Sequence, residues 1–490
     1  MRTCTRFTGF AALVFAAIAL VGCGGKSSSS TSGGGTTTGG GGGTTSTNAQ
    51  WTWVGGSNSV SATGTYGTQG TASASNVPPA RVGAVSWTDA SGNFYLFGGE
   101  PNNSSTPSFL NDLWKYSPST GQWTWLSGSN NANQAGNYGT LNTAASTNVP
   151  GARYNGASWR DASGNLYLFG GIGLDKTGSA ALFLNDLWKY NTSSNQWTWI
   201  GGSNTGGASN VTPPAAVYGT QGTAAAANLP GVRSDALSWT DSSGNFWLFG
   251  GQGADSASAF GNLNDLWKYN PTTGQWTWVT GSNVINQAAV YGTLGTGAAA
   301  NTPSARRNAS GWIDSSNNLW LYGGNQGAGT TYTPMNDLWK YSTTTGQWTW
   351  VNGSNSASAA AVYGTKGTAA AGNTPGARAY TSAWTDASGN FYLFGGASSI
   401  DSSGNVSLLN DLWKYSPSSG QWAWVAGSNS AATVGTYGTQ GTSAASNVPG
   451  GRLESSTWID TSGNLWLFGG VGFAASGSAN TLNDLWKYQP

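Results

Sequence analysis

From residue 50 to its end the chain alternates short apolar runs with polar turn clusters, and one unit shows the pattern. Ala84-Val-Ser-Trp87 is followed by the turn cluster Asp89-Ala-Ser-Gly-Asn93, then by Phe94-Tyr-Leu-Phe97 and a double glycine. A longer polar stretch leads to Leu113-Trp-Lys-Tyr116, a Ser-Pro-Ser-Thr-Gly turn and Trp123-Thr-Trp125. These short β-prone runs, bounded by turn residues, read as four antiparallel strands, A to D. Strand B has four successive apolar residues and no wet face, which predicts a sheet sandwiched between two others. Gly98-Gly99 is read as the end of strand B, where the backbone turns sharply.

The unit recurs. Asn-Asp-Leu-Trp-Lys-Tyr begins at Asn111, Asn185, Asn264, Asn336, Asn410 and Asn483, at intervals of 72 to 79 residues. The repeating region opens on Trp51-Thr-Trp53, a strand D without A to C before it, and ends on Lys487-Tyr-Gln-Pro490, a strand C without D after it. The fragments complete each other, which predicts an all-β, six-bladed β-propeller of four-stranded antiparallel blades. Its ring is closed by pairing the N-terminal strand with the C-terminal blade, which removes the open ends of a linear array.

The double glycine, the aromatic strand C and the Trp of strand D resemble the kelch repeat, and the likeness spans nearly all of residues 50–490. Two departures limit what it implies. The period exceeds the usual ~50 residues. The histidine common after the arginine of strand A is replaced by Ala84, Gly156, Ala236, Ala309, Thr381 and Ser455, so no role of that histidine carries over.

Composition narrows the function classes. Charged residues are 8% of the chain and the net charge is +1, which leaves no basic field for nucleic acid. Histidine is absent, which removes Ser/His/Asp and Cys/His catalysis and imidazole metal sites. The two cysteines, Cys4 and Cys23, are both N-terminal, so no disulfide, thiolate zinc site or catalytic thiol is expected in the body.

Arg2 and Arg6 precede the apolar run 10–20, too short to span a membrane comfortably and suited to a signal peptide. Leu20-Val-Gly-Cys23 resembles the bacterial lipoprotein box, which implies acylation of Cys23 and, with Gly24 following, sorting to the outer membrane or cell surface. Residues 24 to about 48 are almost wholly Gly, Ser and Thr, a flexible leash of roughly 25–30 Å. The expected organisation is a lipoprotein signal peptide over 1–22, a lipidated cysteine with linker over 23–48, and the propeller over 49–490.

Residues standing just before strand A, the innermost strand of a blade, are the first binding candidates. Arg81, Arg153, Arg233, Arg306, Arg378 and Arg452 recur there and are expected to ring one mouth of the channel, either as braces to carboxylates or carbonyls that tie neighbouring blades or as an anion-attracting funnel. Two residues further on the repetition breaks: Gly83, Asn155, Asp235, Asn308, Tyr380 and Glu454. Tyr154 and Arg307, directly after their arginines, depart as well. Asp235 and Glu454 belong to opposite blades, which predicts a separation greater than the roughly 5–9.5 Å of paired glycosidase acids. The aspartates of the Asp112 and Asp89 types recur in every repeat and are read as Asx turns, with no metal.

B–C and D–A connections emerge on one face. The D–A insertions repeat a Tyr-Gly-Thr (Tyr66, Tyr138, Tyr218, Tyr291, Tyr363 and Tyr437) and read as a small ordered lobe. The B–C loops differ in every blade and carry Phe109, Phe183, Phe260, Tyr332 and Phe473, which fits recognition. The 27 tryptophans all fall on strands and read as blade packing. The expectation is a monomeric, surface-anchored recognition module without a cofactor, binding an extracellular or periplasmic glycan or protein and touching the membrane through its lipid alone. The alternatives are a structural envelope scaffold or a carbohydrate-active enzyme. Of the kelch-like enzymes, the copper-dependent galactose oxidases fail for want of ligands, and the sialic acid mutarotases leave arginines with Glu454 or Asp235 as the groups to act.

Overall fold

The computed structural model describes residues 49–101, 107–214, 216–401 and 404–490. No helix occurs among them, and the strands form six antiparallel blades. Blade 1 is Val85–Thr88, Phe94–Phe97, Leu113–Ser117 and Gln122–Ser127. Blade 6 is Ser456–Ile459, Leu465–Phe473 and Ala479–Gln489, completed by Gln50–Gly55 from the other end of the propeller. Trp51 pairs with Tyr488 and Trp53 with Trp486, so the closure expected from the two fragments is present.

Strand B is buried at every position in blade 1 because its two faces serve two blade interfaces. Six hydrophobic clusters follow, one at each interface. The Trp of strand A reaches across: Trp159 stacks on Phe246 of the next blade at 5.4 Å and 8°. Its indole donates to Trp247 O at 3.0 Å. Trp458 does the same over the closure, stacking on Phe94 at 5.1 Å and donating to Tyr95 O at 3.2 Å.

Two features differ from the sequence reading. The double glycine does not end strand B in blades 2, 3, 4 and 6. There it forms an irregularity, with the register shifting between Phe169 and Gly171, for example, and the strand runs on. The B–C connections of those blades are therefore extensions of the blade's own hairpin. The D–A insertion, in turn, clasps the outer edge of the following blade: Ser73 bridges to Trp123, and Ala224 pairs with Thr277. This contact covers the strand D edge that the blade would otherwise offer for pairing.

Candidate functional site

Each of the six arginines is 0–1% exposed. Arg81 holds Asp112 through both terminal nitrogens at 2.7 Å and donates to Pro79 O and Gly98 O. Arg153, Arg233, Arg306, Arg378 and Arg452 hold Asp186, Asp265, Asp337, Asp411 and Asp484 in the same way. The arginines are therefore braces to carboxylates and carbonyls, but within a blade and not between neighbouring blades, and the expectation that they form an anion-attracting funnel at the channel mouth is corrected. Their guanidinium groups are enclosed within their own blades and have no surface to give a ligand. The brace between blades comes from their backbone: Arg153 N donates to Leu110 O, and Gly99 N to Arg153 O.

The Asx-turn reading of the Asp112 type is corrected too. Besides its arginine, Asp112 accepts Tyr66 Oη and Trp114 Nε1, both at 2.7 Å. The recurring tyrosine of the D–A insertion thus ties that lobe into the next blade. The Asp89 type is an Asx turn, accepting Ser91 N and Asn93 N.

Two residues beyond the arginines the chains meet around the axis. Asn155 N donates to Gly83 O, Asp235 N to Asn155 O, Asn308 N to Asp235 O, Tyr380 N to Asn308 O, Glu454 N to Tyr380 O and Gly83 N to Glu454 O, at 2.8–3.3 Å. The result is a closed cycle of six backbone hydrogen bonds. All six residues are left-handed, with φ between 51° and 65°. Gly, Asn and Asp tolerate that region, whereas Tyr380 and Glu454 adopt it at a backbone cost.

The cycle draws opposite blades together. Asn155 Nδ2 donates to Asp235 Oδ1 at 2.6 Å and to Glu454 Oε1 at 3.1 Å. Asn308 Nδ2 does likewise at 2.7 and 3.4 Å. Two carboxylate oxygens sharing one donor cannot be farther apart than the two bonds laid end to end. This corrects the predicted wide separation: bonds of 2.6 and 3.1 Å to one nitrogen hold Asp235 Oδ1 and Glu454 Oε1 within the lower part of the roughly 5–9.5 Å window of glycosidase acids or below it. Two amides occupy the gap between them, where a glycosidic bond would have to lie.

Further groups crowd the pair. Ser234 Oγ donates to Asp235 Oδ2 at 2.5 Å. Arg307 is buried and donates to Asn262 Oδ1 at 2.8 Å, and its charge reaches both Asp235 and Tyr380. Tyr380 stacks on Tyr332 of the B–C segment at 6.4 Å and 10°, and Tyr154 on Phe109 at 5.4 Å and 8°. Tyr154 and Arg307 are thus packed into the walls, while Asn155, Asp235, Asn308, Tyr380 and Glu454 keep partial exposure.

Glu100 is the residue that sequence reading missed. It follows the double glycine of blade 1 and pairs with Val82, directly after Arg81. Its counterparts are Ile172, Gln252, Asn325, Ala397 and Val471, a second unrepeated set that was legible as such. It is 2% exposed, and its Oε2 has no hydrogen-bond partner. Burial pushes the Glu100 carboxyl up to about 8. Burial, reinforced by the charge of Asp235, pushes Glu454 up to about 8, and burial raises Asp235 against the hydrogen bonds of Ser234 and Asn308.

Residues 156–204, which hold blade 2 from strand A to strand D, match the kelch motif family model. The molecule is a six-bladed β-propeller whose second blade carries a kelch motif. A search of curated proteins returned no match. As in the sequence, the propeller puts what repeats into the blades and what does not repeat around its axis. No group of three or more Asp, Glu, His or Cys suited to a metal ion occurs among the described residues. The expected signal segment, Cys23 and the expected leash lie outside the described residues.

Proposed function

We propose that this kelch propeller is a recognition module that takes its ligand at the axial cluster and the surrounding B–C segments. One observation carries the reading. Six copies of a repeat give six equivalent positions, and the polar side chains that abandon equivalence gather at one end of the axis. Tyr380 and Glu454 are retained there despite their left-handed backbone. Aromatic faces beside hydrogen-bonding groups suit a glycan, while the six rigid blades hold the cluster in place. A protein partner meeting the B–C segments is the other form of the same reading. The lipoprotein box extends it: acylated Cys23 and its leash would present the module at a bacterial outer membrane or cell surface.

A glycan array probed with the propeller, alongside Glu454→Gln and a variant with the B–C segment of blade 4 replaced by that of blade 1, tests the reading. Glycan binding lost in either variant supports it. Binding unchanged in both removes the axial cluster and that segment as the site. Labelled palmitate incorporated by the full chain and lost in Cys23→Ser tests the anchor; equal labelling of the two refutes it.

A further inference from the structure

We infer that the axial cluster receives an organic ammonium group, as carried by a free amino sugar, with Glu100, Asp235 and Glu454 as its acceptors. The inference rests on the recognition reading and names the ligand chemistry of that site. It begins from a donor and acceptor inventory. The amide donors of Asn155 and Asn308 are already spent on Asp235 and Glu454, Ser234 on Asp235, and Arg307 on Asn262 and Gly327 O. Two acceptors have none: Glu100 Oε2 and Asn308 Oδ1 are buried without a partner. Glu100 pairs with Val82, whose neighbour Gly83 bonds to Glu454 and Asn155 in the axial cycle, which places Glu100 at the cluster.

A cluster short of donors selects a ligand that brings them. An ammonium brings three together with a positive charge, whereas a sugar hydroxyl brings one and no charge. Burial keeps the Glu100 and Glu454 carboxyls protonated up to about 8, and an entering ammonium draws those values back down, so that it binds with release of their protons and forms charge-assisted hydrogen bonds to the carboxylates. A metal ion fits poorly, because Asp235 Oδ1 and Glu454 Oε1, the oxygens the two carboxyls bring together, already receive the amide hydrogens of Asn155 and Asn308. The partly exposed ring of Tyr380 completes the case, since an organic cation gains on an aromatic face.

Isothermal calorimetry of the protein at pH 6.5 with D-glucosamine, D-glucose, N-acetyl-D-glucosamine and calcium chloride tests the inference. Glucosamine is expected to bind at least tenfold more tightly than either neutral sugar, and calcium not at all. Glu100→Gln and Glu454→Gln are each expected to weaken glucosamine at least tenfold while the thermal midpoint stays at or above that of the parent chain. Equal binding of the three sugars, calcium binding in place of glucosamine, no binding of glucosamine, or full glucosamine binding by both variants overturns it. Neutral glycans captured on the array without a preference for amines would sink this inference and leave the recognition reading standing.

Discussion

Replacing Asp265 by alanine is the sharpest test of what holds a blade together. The Asp265 carboxylate is fully buried and accepts four donors: both terminal nitrogens of Arg233 at 2.8 Å, Tyr218 Oη at 2.7 Å and Trp267 Nε1 at 2.7 Å. Removing it leaves a guanidinium inside the blade with only the carbonyls of Gly250 and Gly231. Breaking a buried pair from one side costs about 3–5 kcal/mol. Leaving a neutral donor unsatisfied costs roughly 1–3 kcal/mol, but the donors share one acceptor and the penalties overlap. A loss of about 5 kcal/mol is expected, comparable with the whole stability of a marginal domain. Tyr218→Phe, which leaves Asp265 three donors, is expected to cost about 1 kcal/mol. Arg233→Met combined with Asp265→Leu leaves no uncompensated charge and should cost less than Asp265→Ala alone. Urea unfolding followed by tryptophan fluorescence and far-ultraviolet circular dichroism reads all three. A loss under about 1 kcal/mol for Asp265→Ala, or a double variant weaker than the single one, refutes the reasoning.

Deleting residues 49–55 removes Gln50–Gly55, exposes the strand Ala479–Gln489 and uncovers the pocket of the buried Trp51; soluble aggregates by size-exclusion chromatography are expected, and a monodisperse, cooperatively folding product would contradict the closure. Gly128 has φ 78° and an added Cβ would lie 2.0 Å from Asn111 O, whereas Gly70, at φ 80°, has nothing within 4 Å. Gly128→Ala is therefore expected to cost on the order of 2 kcal/mol or more and Gly70→Ala about 1 kcal/mol, with equal midpoint shifts counting against the clash. Glu100 and Glu454 hold their protons more tightly folded, near 8 against 4.5, so the folded state binds more protons across that interval and their contribution to stability falls as pH rises through it. Glu454→Gln should gain on the parent chain between pH 5 and pH 8.5 in urea midpoint, and a relative loss would reverse the argument.

Repetition made the fold readable and hid the chemistry of its struts. The blade count followed from a strand D without partners at one end and a strand C without a partner at the other, an argument that needs no side-chain geometry. Composition also bore on the Arg–Asp pairs. In a chain with 19 basic and 18 acidic residues, six arginines and six aspartates, each recurring once per blade, are natural partners. Within a blade Arg81 and Asp112 lie 31 residues apart in sequence, and no local pattern joins them. Reading the aspartate as a turn residue broke a partnership that its sixfold recurrence alongside the arginine, the Tyr of Tyr-Gly-Thr and the Trp of strand C already suggested.

The axial cluster was legible only as a place. Its residues announced themselves by refusing to repeat, but how near Asp235 comes to Glu454 is set by a backbone cycle that leaves no mark in composition. Glycine and asparagine hint at left-handed φ, whereas Tyr380 and Glu454 argue against it, so the cycle becomes visible only when all six strands are closed on one another. Opposition in the ring implies distance, yet around an axis this narrow the side chains that face each other across the channel are the ones that meet. Glu100 escaped for the same reason. Strand B was ended at the double glycine, and the register that continues past it puts the next residue beside the one that follows the arginine. In a closed propeller, two unrepeated sets one register step apart define one site, and a chain search that pairs such sets before choosing candidates would have placed Glu100 with Glu454 at the outset.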